Sequence, residues 1–333
     1  MTAVLLFGDV PSTGYVTGAN AERVTVDGNQ PTLDGFTDIV RERLNRSPAV
    51  LVLYPSWQSG QNGGAARAIG LARTALATPH LVGVASDLPP LALSLVADQL
   101  AYLAPYVPPG VLTTLASQLA AETLSGAWVR SVAGLEHVSP SLSQHLTSYL
   151  PGGFMVTVTP TATVHRITGK SPMGVLPFRP TEPVQMLTAN ADGDSEWLQK
   201  HLLPILHPVL TRNYSPQPLG NSYWSDKKYI EFVAFSGHPQ ALAQAANSLR
   251  VRLCRWCDQP VTATKCPFCG MMLERHDPEP AASGTDAGHS VRTHPPPDRP
   301  APAEPSQPAQ PSQPWQASEP APVPPPDSYN GVR

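Results

Sequence analysis

A chain of 333 residues exceeds the usual single domain of about 100–200 residues, and a formal charge of −3 with a pI near 6.4 lacks the broad positive surface that non-specific nucleic-acid binding needs. Composition is 41% hydrophobic but only 14% charged. The 40 prolines, about one residue in eight against an ordinary ~5%, exclude a chain that is compact throughout.

The N-terminal MTAVLLFGDV has no basic leader and only a brief apolar run before Asp9, so it reads as a first strand and not a secretory signal, which implies a cytoplasmic protein. Scarce lysine with plentiful alanine and proline is the composition of a GC-rich bacterial genome. From residue 1 to about 150, β-rich runs alternate with helical patterns: VLLFGD, VTV at 24–26, a helix near 33–45, AVLVLYP at 49–55, ARAIGLARTAL at 66–76, LVGVAS at 81–86 and LALSLVADQLAYL at 91–103. Compact strands spaced by helices of this length predict parallel β-α-β units covered on both faces. Residues 111–149 read as mainly helical. The uncharged stretch 99–121 is interrupted by Pro105, Pro108, Pro109 and Gly110, so it predicts no transmembrane helix.

A second block, 151–250, opens at Pro151-Gly152-Gly153. FMVTVTPTATVHRIT alternates around Pro160, which predicts a hairpin or edge pair. DGDSEWLQKHLLPIL predicts a helix capped by Asp194 or Ser195 and kinked at Pro204, and YIEFVAF at 229–235 is a strand followed by a helix from Ser236 and Pro239. The fold class expected is therefore α/β, a parallel or mixed sheet flanked by helices. Whether the second block, 151–250, continues the first sheet or forms its own stays open at this level.

Residues 254–270 read CRWCDQPVTATKCPFCG and hold all four cysteines. Cys254 and Cys257 form one C-x-x-C pair, Cys266 and Cys269 another, and two such knuckles place four thiolates on the vertices of one tetrahedral zinc. DQPVTATK between them has the length for a tiny hairpin, and Gly270 suits the positive φ after the second turn. The segment resembles a short zinc ribbon over residues 252–272, and the resemblance implies a closed, structural four-cysteine site. Two disulfides, a thioredoxin-like redox pair and a rubredoxin-like iron site are the competing readings. His276 is not needed, since four sulfurs complete the shell. In so small a module, at 251–275, the metal would supply most of the folding energy. Trp256 and Phe268 either pack on the ribbon and its neighbour or offer a contact face, with Arg250, Arg252, Arg255, Lys265 and Arg275 around them.

After the ribbon, residues 276–333 hold 16 of the prolines and almost no large aliphatics, the composition of a disordered Pro-rich tail. PSQPAQPSQPWQ at 305–316 has proline every third residue, the polyproline II period, which suits either a solvated tail or a docking peptide.

Ligands in open parallel sheets gather beyond the strands' carboxyl ends. Those ends offer Gly8-Asp9 with Ser12 and Thr13, then a glycine-rich loop with Gly60, Gly63 and Gly64 opening a helix, then Ser86-Asp87. Two carboxylates beside such a loop are an anion-site candidate, although the loop matches neither G-x-G-x-x-G nor a phosphate-loop lysine and plain turn punctuation accounts for it equally. Gly169-Lys170-Ser171 lacks the upstream glycine of a phosphate loop, Asn190-Ala191-Asp192-Gly193-Asp194 lacks the closing glutamate of an EF-hand, no G-x-S-x-G is present, and His238 stands alone. Three functions are expected in this order: a zinc-binding accessory protein with a protein partner at its ribbon or Pro-rich tail; a transferase or hydrolase of a small anion at the Asp9/Gly60–Gly64/Asp87 rim; and nucleic-acid contact through the ribbon.

Overall fold

The computed structural model describes residues 1–16, 18–25, 33–58, 64–139, 141–148, 150 and 152–273. In chain order these form β1 (Ala3–Phe7), β2 (Glu22–Val24), α1 (Leu33–Leu44), β3 (Val50–Pro55), a 3-10 turn (Ser56–Gln58), α2 (Gly64–Ala75), β4 (Leu81–Ser86), α3 (Pro90–Leu103) and α4 (Pro109–Ala121). There follow β5 (Leu124–Val129), α5 (Leu142–Thr147), β6 (Gly153–Thr159), β7 (Thr163–Ile167), β8 (Val184–Ala191) and α6 (Ser195–Trp197), which runs through a π-helical stretch (Leu198–Leu202) into α7 (Leu203–Leu206). The chain continues with β9 (Leu210–Tyr214), α8 (Gly220–Trp224), β10 (Tyr229–Ser236), α9 (Ala241–Asn247), β11 (Arg252–Leu253) and β12 (Pro260–Val261). The Pro-rich tail and His276 lie outside the described residues.

The strands fall into two sheets, and β5, from the first block, joins the second sheet. The first has order β2-β1-β3-β4 and is parallel throughout; the second has order β7-β6-β5-β10-β8-β9, antiparallel except where β8 meets β9. The fold is thus α/β with one parallel and one mixed sheet. Both lie within one compact unit, Met1–Asp277.

Side-chain alternation sets the layers. Leu5, Val50, Val52 and Leu81 face α1 and α2, meeting Phe36, Val40, Ala68 and Ile69, whereas Val4, Leu6, Leu51, Leu53 and Val82 face the other way, toward α3 and α4. Leu187, Ala189, Val233 and Phe235 of the second sheet close on those same two helices, and Met186, Ile230 and Phe232 turn outward to Trp197, Leu202 and Leu206. α3 is apolar on nearly every side because little of it meets solvent: it packs on β1, β8 and β10 at once, and Tyr102 near its end is exposed.

One element departs from expectation. Residues 111–149 were expected to be mainly helical, yet LSGAWV forms β5, wholly buried and paired with β6 and β10. Gly126 explains why: a Cβ there would sit 2.2 Å from the Val156 carbonyl oxygen and 2.9 Å from the Phe232 ring, so the glycine that looks like a turn permits close strand contact. The hairpin at Pro160 forms as β6–β7 at the sheet edge. Asp194 caps α6 by accepting from Trp197 N–H at 2.9 Å.

Candidate functional site

Among the described residues, side chains pack against one another at the strand-end rim. Ser56 donates to the Asp87 carboxylate, Trp57 Nε1 donates to the Leu88 carbonyl at 3.1 Å, and Tyr223 OH donates to the Asp87 carbonyl at 3.0 Å. Trp57, His137 and Tyr223 pack ring on ring there, His137 stacked on Tyr223 at 4.6 Å and Trp57 edge-on to Tyr223 at 5.0 Å. Burial pulls the His137 pKa down, against Glu136 and Asp87, and pushes the Tyr223 phenol up. Asp87 is exposed, Asp9 half-buried at the end of β1, Gly64 an exposed first residue of α2; Gly60 and Gly63 lie outside the described residues. Ser12 and Thr13 are turned toward α3. They donate to Asp98 of α3 at 2.9 and 3.3 Å, with Ala21 N–H at 3.1 Å and Arg23 Nη1 at 2.6 Å completing the shell of a fully buried carboxylate.

A cavity of about 480 Å3 opens at the other end of α3 and α4, beneath the end of β10 and against α9. Leu119, Phe235, Leu242 and Phe178 are its apolar walls. Gln99 of α3, one residue past Asp98, also lines it, as do Glu122 and His238. Gln99 is only 5% exposed and its Oε1 has no hydrogen-bond partner. Glu122 accepts from Gln118 Nε2 at 2.9 Å. Gln99, Phe178 and Leu242 were not singled out from the sequence; the one available signal was the polar Asp98-Gln99 pair inside an otherwise apolar helix.

The cysteines converge as their spacing requires. The four Sγ atoms lie within 4.8 Å of one another, with Cys254–Cys269 and Cys257–Cys266 at 3.5 Å. Bonds of about 2.3 Å to a central tetrahedral zinc demand sulfur–sulfur edges of roughly 3.8 Å, so the cluster of thiols fits such an ion. Each knuckle has the same internal wiring: Asp258 N–H donates to the Cys254 carbonyl and Gly270 N–H to the Cys266 carbonyl, both at 2.9 Å and both at positive φ. The Trp256 and Cys257 N–H groups face Cys254 sulfur and hold its pKa down to about 7. The expected hairpin is placed differently, since β11 and β12 flank the first knuckle instead of linking the two.

The ribbon is fastened to the body. Val261 bridges to Gly110 at the start of α4, Thr262 hydroxyl donates to Thr114, and Arg73 of α2 donates to the Phe268 carbonyl. Phe268 is buried and Trp256 is exposed. None of the helices among the described residues is long and apolar enough to cross a membrane.

No family model and no curated protein sequence matches the chain. Solved structures do. A stearic acid-binding protein from Eubacterium ventriosum aligns at TM-score 0.50 and 10% identity, covering 70% of this chain and 98% of that one. A DegV family protein from Corynebacterium glutamicum aligns at TM-score 0.49 and 11% identity over 71% and 97%, and a DegV lipid-binding protein from Thermotoga maritima at 0.48 and 12% over 70% and 97%. At these identities the likeness is one of fold.

That likeness corrects the expected functions. It covers 70% of this chain and 98% of a stearic acid-binding protein, and the reading of an accessory protein with a protein partner at the ribbon or Pro-rich tail is set aside on it. A transferase or hydrolase at the Asp9/Gly60–Gly64/Asp87 rim and nucleic-acid contact by the ribbon are set aside on the same ground.

Proposed function

We propose that the folded body binds one long acyl chain, a fatty acid or a derivative of one, in the cavity between α3, α4 and α9. The observation that carries this reading is the cavity itself. At about 480 Å3 it falls within the roughly 300–1,000 Å3 of small-molecule sites, and it has Leu119, Phe235 and Leu242 for walls. The fold shared with a stearic acid-binding protein supports the same ligand class. Each buried CH2 is worth about 0.8 kcal/mol, so ten of them bring about 8 kcal/mol against the cost of association.

Oleic acid titrated into delipidated protein tests the reading, with Leu119→Trp as the variant that fills the cavity. Saturable binding by the unmodified protein, weakened at least about tenfold, or about 1.4 kcal/mol, in a variant of unchanged melting temperature, is the expected result. Absence of saturable binding by the unmodified protein refutes it.

The cysteine cluster is read as a structural zinc site. Cys254, Cys257, Cys266 and Cys269 would fill all four positions, leaving none for water or substrate, and Arg73 and Lys265 beside them offset the thiolate charge. Four thiolates held by a metal would suit a reducing, cytoplasmic setting.

A further inference from the structure

We propose that the ribbon face turned away from the body is a docking surface for an anionic lipid bilayer, a choice of partner that rests on the acyl-chain reading of the cavity. Trp256 is 73% exposed, Leu253 and Met272 are each 65% exposed, and Val251 and Met271 join them at the surface. Single exposed apolar side chains are ordinary, but a cluster of them among charged residues marks an interaction surface. Strand pairing puts them on the outer side. Val261 is buried in the core with α4, and Leu253 pairs with Pro260, the neighbour of Val261, so Leu253 points to the opposite face of the β11–β12 pair. Leu273 packs on that same core, and Met272 before it, bridged to Lys265, points the other way. Trp256 is the third residue of its knuckle as Phe268 is of the other; Phe268 is buried beside Gly110, and Trp256 meets solvent.

Charge and chemistry choose the occupant. Between residues 250 and 273 the sequence has Asp258 as its acidic residue, against Arg250, Arg252, Arg255 and Lys265, in a chain of formal charge −3. Lys265 stands beside the thiolates, and Arg250 and Arg252 are exposed on either side of Val251. Basic side chains interleaved with aliphatic ones and an indole suit a bilayer surface. The aliphatic groups enter the acyl boundary, the indole sits at headgroup level, and the guanidinium groups meet anionic headgroups. Lasting attachment of a peripheral protein takes two such signals, one apolar and one basic, and this face carries both. A long acyl chain is driven out of water into bilayers, so a protein that binds one meets its ligand there.

Sedimentation with vesicles of phosphatidylcholine, with and without phosphatidylserine, tests this on the full-length delipidated protein purified under reducing conditions without chelator. Binding to the phosphatidylserine vesicles is expected to be about tenfold tighter than to phosphatidylcholine alone and to weaken as salt rises. Leu253→Ser with Trp256→Ser is expected to weaken it about tenfold, and Arg250→Gln with Arg252→Gln to bring the two vesicle types within about twofold. Metal content, melting temperature and oleate affinity in solution are expected to stay unchanged in both double variants. No sedimentation with phosphatidylserine vesicles, or binding that both double variants leave intact, overturns the assignment. A dimer in solution that Leu253→Ser with Trp256→Ser turns into a monomer gives this face to a second copy and overturns it as well. Oleate titration judges the cavity separately: vesicle binding without saturable oleate binding leaves the docking surface standing and refutes the acyl-chain reading, and oleate binding without vesicle binding does the reverse.

Discussion

Leu91 donates its backbone N–H to Glu231 Oε1 across 2.7 Å, joining the first turn of α3 to the middle of β10. A helix start leaves four N–H groups without intrahelical partners, and Pro89 and Pro90 bring no side-chain cap. Glu231 supplies one from another layer. It is fully buried, and burial pushes its pKa up to about 8 despite the Leu91 N–H and the Trp224 indole N–H that face it.

That shift makes stability depend on pH. Between the free glutamate value of 4.5 and about 8, the folded chain holds a proton that the unfolded chain releases. The contribution is complete below the lower value and is lost as pH rises through the upper one, at about 1.4 kcal/mol per pKa unit. Glu231→Gln keeps the acceptor for Leu91 and removes the proton. Denaturant unfolding from pH 5 to 9 should show the unmodified protein losing several kcal/mol relative to the variant. Parallel curves for the two would contradict a buried neutral acid.

Asp98 gathers Ser12, Thr13, Ala21 and Arg23 in the dry space between the first sheet and α3. Removing one partner of such a buried pair strands the other. Asp98→Ala should lose about 3–5 kcal/mol of stability, more than a cavity of that size alone explains. Arg23→Met with Asp98→Leu should recover a substantial part of it, and thermal melts of the single and double variants provide the measurement.

Zinc content should be close to one equivalent per chain in protein purified under reducing conditions without chelator. Cys266→Ser should lower it sharply, and stripping the metal should lower the melting temperature. Hydrogen exchange should then rise at Gly110–Thr114, the part of α4 that Val261 and Thr262 hold. A metal-free protein with unchanged melting and exchange would rule out the structural role.

Gly110→Ala tests the same junction without touching a thiol. A Cβ at this position would meet the Pro260 carbonyl oxygen at 2.3 Å and Val261 at 2.7 Å. Backbone cannot give way as a flexible side chain does, so the substitution should cost about 1–3 kcal/mol and loosen the ribbon. Unchanged stability would mean that the ribbon and α4 are not in close contact.

The parallel strands and helices of the first sheet were legible because their signals are local. AVLVLYP, LVGVAS and the helical spacing of residues 66–76 each carry their period within one element. So were the cysteine knuckles, since C-x-x-C spacing is a property of a single turn, and Gly270 with its positive φ. β5 was not, because the meaning of Gly126 depends on Val156 and Phe232, strands away.

The adjacent residues Asp98 and Gln99 divide the two kinds of knowledge most sharply. The sequence alone established that LALSLVADQLAYL is helical, and that four thiols can close on one ion. Only tertiary structure decided that Asp98 is consumed by Arg23 and the 12–21 loop while Gln99 faces the cavity, and that the strand-end rim is packed with Trp57, His137 and Tyr223. Helical residues one position apart point about 100° apart, so in a helix wedged between two sheets the partners of each come from different layers, and no local pattern encodes which.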